Sequence, residues 1–264
     1  MRPLTALGVA GFRRWSAYRA ATLAGAVANS VFGLLRAAVT VAAVASAGGA
    51  IAGYTPLDVV TYSWLAQALI APVGLFIWSE LADRVRTGDV SIDLARPVDL
   101  QLSWLAADLG RAAFMLLPRG LPPLAVGAVT TGLALPTSGW TYLLGAMSLV
   151  LAVVISFGVR FAVNLCAIWL MDVRGVLTLQ TVVTVILSGF IIPVAWFPGW
   201  LAAVASTTPF PSMLQSPVDV LSGRVDGLDA VTVVAVQAFW AVVVLGLGRL
   251  VLTRANRRLV VQGG

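Results

Sequence analysis

The chain has 264 residues, 59% of them hydrophobic and only 11% charged, with a mean hydropathy of +0.95 and a net charge of +6. A soluble domain averages about 45–50% apolar and about 25% charged residues, so a soluble cytoplasmic enzyme is excluded and lipid is indicated as the main solvent. With no His, no Lys and a single Cys (Cys166), the chain can build no metal site of N/S ligands, no Ser–His triad, no Lys Schiff base, no P-loop and no internal disulfide, so ATP used on its behalf is bound by another chain.

A helix crossing about 30 Å of hydrocarbon needs around 20 apolar residues. Leu4 to Ala20 mixes apolar residues with Arg13, Arg14 and Arg19, which predicts an amphipathic helix along the inner interface (residues 1–19). Its Arg residues follow the apolar ones, unlike those of a signal peptide. Span one runs from about Ala20 to Ala47, interrupted by Arg36, and span two from Val59 to Trp78. The apolar region Leu102 to Leu135 is too long for one plain span and is broken at Pro118, Pro122 and Pro123. We read it as a kinked third span over about Leu109–Leu135, after an interfacial turn near Leu100; the other reading is a re-entrant hairpin. Span four is Thr141–Leu170, span five the short Val176–Pro193, and span six Leu228–Leu252. The expected fold is therefore a single all-α integral membrane domain with six transmembrane helices.

Two connections differ from ordinary turns. Ser79 to Asp99 gathers Glu80, Asp83, Asp89, Asp93 and Asp99 with Arg84, Arg86 and Arg96, in a chain otherwise starved of charge. Residues 194–229 are mostly apolar yet cut by Pro into pieces of about ten residues. Those are too short to span and too apolar for water, so short re-entrant external helices are expected before span six.

Arg placement sets the orientation. With the N-terminus inside, the cytoplasmic pieces hold Arg2, Arg13, Arg14, Arg19, Arg84, Arg86, Arg96, Arg174, Arg254, Arg257 and Arg258, and the external pieces hold only Arg224. Both termini are thus expected in the cytoplasm. No basic stripe is interleaved with aromatics, so nucleic acid is not an expected partner.

Few residues could carry chemistry. Arg36 lies about 24 Å along span one; it either lines a translocation path or subunit interface, or snorkels to the outer headgroups. Arg160 and Asn164 share a face of span four, as a path or as interhelical packing. Asp108 and Arg111 read as a solvated ion pair at the inner interface. Trp15, Trp64, Trp78, Trp140, Trp196 and Trp200 read as interfacial anchors. A serine-type intramembrane protease lacks its His, and an aspartyl type lacks two intramembrane acids.

Two stretches, R-T-G-D-V-S-I-D-L-A-R-P-V-D (Arg86–Asp99) and S-G-F-I-I-P-V-A-W-F-P-G-W (Ser188–Trp200), the latter followed by Pro209-Phe210, Pro217-Val218 and Gly223, resemble ABC-2 type permeases. The likeness is to the branch of ABC-2 family transporter proteins, common in bacteria and rich in actinobacterial members; Thr87 stands where that branch has a small residue such as Ser. The resemblance implies the membrane subunit of an ATP-driven exporter in the bacterial cytoplasmic membrane, paired with a second permease chain as homodimer or heterodimer. Each chain would bind a separate ABC-type ATPase, which carries the ATP and Mg; no cofactor is expected in this chain. The first cytoplasmic loop would be the coupling element, carried here by Arg84, Arg86, Asp89, Ile92, Asp93, Arg96 and Pro97. The external segment would be a lid, with Pro193, Phe197, Pro198, Pro209 and Phe210 at its gate. Val90, Ile92 and Leu94, apolar among charges, suit a hook inserted into a partner's groove, ended at Arg96-Pro97. A largely apolar lining favours amphipathic or hydrophobic cargo. The competing classes are an ATP-independent secondary transporter and a non-transporting membrane scaffold.

Overall fold

The computed structural model describes residues 2–170 and 172–262, among which there is no strand beyond an isolated Ile51–Tyr54 bridge. The side chains of Arg2 and Arg258, counted above among the cytoplasmic cations, lie outside the described residues. Helix α1 (Arg2–Ser16) is followed by α2 (Arg19–Ser46), whose buried residues Thr22, Ala26, Asn29, Gly33, Ala37, Thr40 and Val44 recur every three or four positions. That narrow stripe of small side chains lets α2 approach its neighbours closely, while Leu23, Val27, Phe32, Leu35 and Val39 face outward. Helix α3 (Pro56–Val73) starts at a Thr55/Asp58 capping box with Pro at its first position and stops at Gly74, whose φ of 73° is the left-handed conformation that ends helices. It is buried on every side, the sign of a helix at the centre of a bundle.

Two short helices, α4 (Glu80–Thr87) and α5 (Val90–Leu94), turn at Gly88 (φ 83°). Helix α6 (Leu100–Met115) continues through a π-helical turn over Leu116–Gly120 into α7 (Leu121–Thr130), so the third apolar region is one kinked helix and not a hairpin. Pro118 supplies no N–H, and the wide turn absorbs the break. The boundaries differ from the expected ones. Residues 100–108, expected as an interfacial turn, already belong to the helix, because the Asp99 side chain caps its N-terminus at Leu102 N (3.0 Å), and it ends at Thr130 instead of Leu135.

Helix α8 (Gly139–Leu165) and α12 (Gly227–Gln262) pair along their length, with Gly158 held against Val244. Between them come α9 (Arg174–Leu187), α10 (Gly199–Ser206) and α11 (Gln215–Leu221), with three 3-10 turns at Cys166–Ile168, Val194–Trp196 and Pro211–Met213. Four helical segments are long and apolar enough to cross a membrane: Arg19–Ser46, Leu100–Thr130, Gly139–Ile168 and Gly227–Arg257. The expected second and fifth spans are not among them. Helix α3 carries Thr61, Tyr62, Ser63 and Gln67 at its centre, and α9, at 14 residues, is only about 21 Å long. Trp64 is also not an interfacial anchor. It is fully buried between Gly33 of α2 and Gly127 of α7, and its Nε1 donates to Thr131 Oγ1 (3.0 Å).

Candidate functional site

The charged connection after α3 folds as a hairpin seated on the end of α8. Leu81 and Ala82 of α4 and Val90 of α5 are buried, and Leu81 and Val90 join Phe157, Phe161, Leu165 and Leu252 in one apolar cluster. Helix α4 has acids in its first turn (Glu80, Asp83) and Arg84 and Arg86 in its last, the arrangement a helix dipole favours. Its N-cap residue, Ser79, does not cap it; the hydroxyl donates to Asp83 Oδ2 (2.9 Å) instead. The Ala82 N–H, one of the donors every helix start leaves free, donates to Asn164 Oδ1 of α8 (3.0 Å). Asn164 Nδ2 in turn donates to the carbonyls of Trp78 (2.8 Å) and Arg160 (2.8 Å). One fully buried amide thus fastens both the approach to α4 and its first turn to α8. The two arms of the hairpin are joined by Arg84 Nε on Asp93 Oδ2 (2.6 Å) and Arg84 Nη2 on the Asp89 carbonyl (3.3 Å).

One turn before Asn164, Arg160 enters a buried ion cluster. Asp108 of α6 accepts from Arg111 Nε (2.6 Å) and from Arg160 Nη2 (2.8 Å), and the three side chains are no more than 12% exposed. Arg111 also donates to the carbonyls of Ala71 (2.7 Å) and Pro72 (3.0 Å), the last turn of α3. Arg160 Nε donates to Ser156 Oγ (3.2 Å), Ser156 donates to the Gly74 carbonyl (3.3 Å), and the Arg160 guanidinium stands 5.5 Å from the Trp78 ring centre. Gly74 is required twice here: for its positive φ, and because a Cβ would meet the guanidinium groups of Arg111 (3.0 Å) and Arg160 (3.2 Å). Asp108–Arg111 is therefore not a solvated pair. The carboxylate is the hinge-pin between α3, α6 and α8, since both buried cations share it.

A second polar cluster lies at the other end of α3. Tyr62 donates to the Gly189 carbonyl (2.6 Å), which the end of α9 leaves free, and to Gln215 Oε1 of α11 (2.8 Å). Gln215 Nε2 donates to Tyr54 Oη (3.0 Å) and Asp219 Oδ2 (2.7 Å), and Tyr54 donates to Asp219 Oδ1 (3.3 Å). Burial pushes the Asp219 carboxyl up to about 6 against the opposing bonds from Gln215 and Tyr54 and the charge of Arg224. Burial, reinforced by the Asp219 charge, also raises the Tyr54 phenol. Arg224 lies over the Tyr54 ring (3.5 Å) and donates to the Gly53 carbonyl (3.2 Å). Nearby, Arg36 Nη2 donates to the Ile191 carbonyl (3.3 Å) and its guanidinium stands 4.7 Å from the centre of the Phe190 ring. Arg36 thus serves one carbonyl freed after α9, while its Nε and Nη1 are buried without a hydrogen-bond partner.

With this geometry in place, comparison with known proteins is decisive. A family model described as ABC-2 family transporter protein matches residues 34–263. The chain belongs to this family. Neither curated proteins nor solved structures give a match. The protein is thus a multi-pass membrane permease of the ABC transporter class, whose family works with an ABC ATPase subunit.

In this permease the residues singled out from sequence fall into separate groups. Arg84 and Asp93 lock the hairpin internally, whereas Arg86, Asp89, Ile92 (57% exposed), Arg96 and Pro97 face outward. Of the three apolar hook residues only Ile92 projects; Val90 and Leu94 anchor the hairpin to its own bundle. Arg160 and Asn164 are adjacent, but Arg36 sits with Phe190 and Ile191, so the structure does not bring the three together. Pro193, Phe197 and Pro198 frame the 3-10 turn before α10, while Pro209 and Phe210 lead into the turn before α11, with Phe210 packed on the core. The cluster of Tyr54, Tyr62, Gln215 and Asp219 was missed. Its one sequence signal is Gln215 and Asp219, one turn apart in an otherwise apolar segment.

Proposed function

We propose that this permease is the membrane subunit of an ATP-driven exporter, two permease chains forming one pathway and a separate ATPase docking on the α4–α5 hairpin of each. The cargo is amphipathic or hydrophobic, in keeping with the apolar surfaces of the bundle. The hairpin, with the exposed Arg86, Ile92, Arg96 and Pro97, is the docking surface, and the short helices of Pro198–Leu221 are the outer lid. The observation that carries this reading is the Asn164 tie: a force applied to α4 acts directly on α8 and, through Arg160 and Asp108, on α6 and the end of α3. An element fastened to three helices can convert ATPase closure into the differential contacts that alternating access requires. Co-purification of the tagged chain tests it. A P-loop ATPase retained under gentle extraction, and lost from Ile92→Asp, supports the reading; an active species with one permease chain and no ATPase overturns it.

A further inference from the structure

Beside the Asp108 cluster, at the α4 end of α3, lies a cavity of about 190 Å³ lined by Arg111, Arg119 and Arg160. Its remaining wall is apolar or aromatic, with Ile70, Met115, Phe76 and Ile77 among its side chains, and no carboxylate lines it. Asp108 balances only one of the two positive charges of Arg111 and Arg160. Arg119 has no acid partner: its Nη2 reaches Asn29 Oδ1 at 3.4 Å, and its Nε is buried without a hydrogen-bond partner. Two uncompensated guanidinium charges around a low-dielectric cavity are costly unless an anion joins them. The space that anion needs is kept open by Gly74, where a Cβ would intrude on both Arg111 and Arg160.

We infer that this cavity binds the acidic headgroup, carboxylate or phosphate, of an amphiphile that enters from the surrounding lipid. A free anion would have no use for the rest of the wall. Phe76 and Ile77 are 54% and 55% exposed, so the apolar side of the cavity opens where an acyl chain lies. Trp15 and Trp78 flank it, the residues that favour the depth of a headgroup. Guanidinium forks suit both anions, since each presents paired oxygens. Arg119, with the fewest partners of its own, is the group with the most hydrogen-bonding capacity to offer. The site deepens the exporter reading and rests on it for the ligand's status as cargo, though not for its binding.

The test uses the full chain, with whatever ATPase co-purifies, in phosphatidylcholine nanodiscs. Three probes carry a diazirine in the acyl chain: a fatty acid, a phosphatidylglycerol and, as the uncharged control, a fatty alcohol. Both acidic probes should label peptides covering Ile70–Trp78 and Met115, about tenfold more than the alcohol at equal concentration. Arg119→Gln should reduce labelling by about tenfold, the effect of losing one charge-assisted contact, and Arg119→Lys should restore part of it. Label displaced by ATP marks cargo, and label that persists through ATP turnover marks a resident lipid; both support an acidic-amphiphile site. Equal labelling by the alcohol overturns the inference in the wild-type chain alone, whether or not the variants fold. So does unchanged labelling in a folded Arg119→Gln. If no ATPase co-purifies while acid-selective labelling remains, the exporter reading fails and the site stands.

Discussion

Replacing Asn164 with Ala removes the side chain that caps α4 from another helix. Two backbone groups then lose their partners, the buried Ala82 N–H (3.0 Å to Oδ1) and the half-buried Trp78 carbonyl (2.8 Å to Nδ2). Asn164 is fully buried and Ala82 likewise, so water does not replace the amide. An unsatisfied buried group costs about 1–3 kcal/mol, so the middle of that range for Ala82, with the half-buried Trp78 carbonyl adding less, places the loss at about 2–3 kcal/mol, concentrated where α4 leaves α8. Local opening should therefore become at least about 30-fold more frequent. Amide hydrogen exchange in detergent or nanodiscs reads this directly: protection at Ala82 and Asp83 should fall by that factor, while the core of α8 around Ala152 and Ile155 changes little. Asn164→Asp keeps an acceptor for Ala82 but no donor for Trp78, so protection at Ala82 should be largely retained in that variant. In the assembled transporter, Asn164→Ala should hydrolyse ATP without moving cargo, because the docking surface survives and its fastening does not. If protection at Ala82 in Asn164→Ala stays within about threefold of wild type, the cap is not what holds the hairpin and the reasoning fails.

Asp108→Asn leaves Arg111 and Arg160 facing one another without a counter-charge, a change that costs about 3–5 kcal/mol when a buried pair is broken; thermal unfolding should drop sharply, and unaltered unfolding would show the cluster to be hydrated. Asp219 ties stability to pH. Its folded value of about 6 lies above the ordinary 3.8, so the folded state holds this proton more tightly, and stability falls as pH rises from about 4 through about 6. The ionised form is disfavoured by about 3 kcal/mol. Asp219→Asn should remove that component, so the wild type should gain more stability than the variant between pH 7.5 and pH 5, as melting curves at the two pH values will show. Ile92→Asp and Arg96→Glu alter exposed positions, so membrane insertion and unfolding should match wild type while ATPase association in pull-downs falls about tenfold or more; normal association in both would move the docking surface elsewhere.

The legible part of this molecule is the part governed by hydrophobic length. Helices α2, α8 and α12, and the kinked α6–α7, follow from runs of apolar residues that only lipid or a core can accept. The same logic misplaced Trp64, because a lone aromatic near a predicted span end looks identical whether it faces headgroups or fills the gap between two glycines 94 residues apart. Asp108 was misread for a related reason. Its partner at i+3 is visible in sequence, but its partner in α8 is not, and it is the second cation that takes the carboxylate out of water. The hairpin was legible as a charged break between apolar segments, yet two of its three apolar residues turned inward, since a short helix must first bury something against its own chain to persist at all.

Helix α3 gives the two polar clusters a common mechanical element. Midway along the helix Tyr62 holds the Gly189 carbonyl and Gln215; at its C-terminal end the carbonyls of Ala71 and Pro72 hold Arg111, and that of Gly74 holds Ser156. Between them nearly every side chain is buried, with neighbours on all sides, and a close-packed helix transmits displacement instead of absorbing it. A hairpin pulled by way of Asn164 acts on α8 and, through Arg160 and Asp108, on Arg111 and the end of α3. Any shift of α3 along its axis must then break Tyr62 from Gly189 or drag the break after α9 with it. Of the polar residues that disqualify α3 as a plain apolar span, Tyr62 fastens it to the segment after α9 and to α11, while Thr61 accepts from the Ala134 N–H (2.8 Å) and Ser63 meets Thr40 of α2 (3.4 Å). That polarity ties a bundle-centre helix to neighbours on several sides, which a plain apolar span could not do.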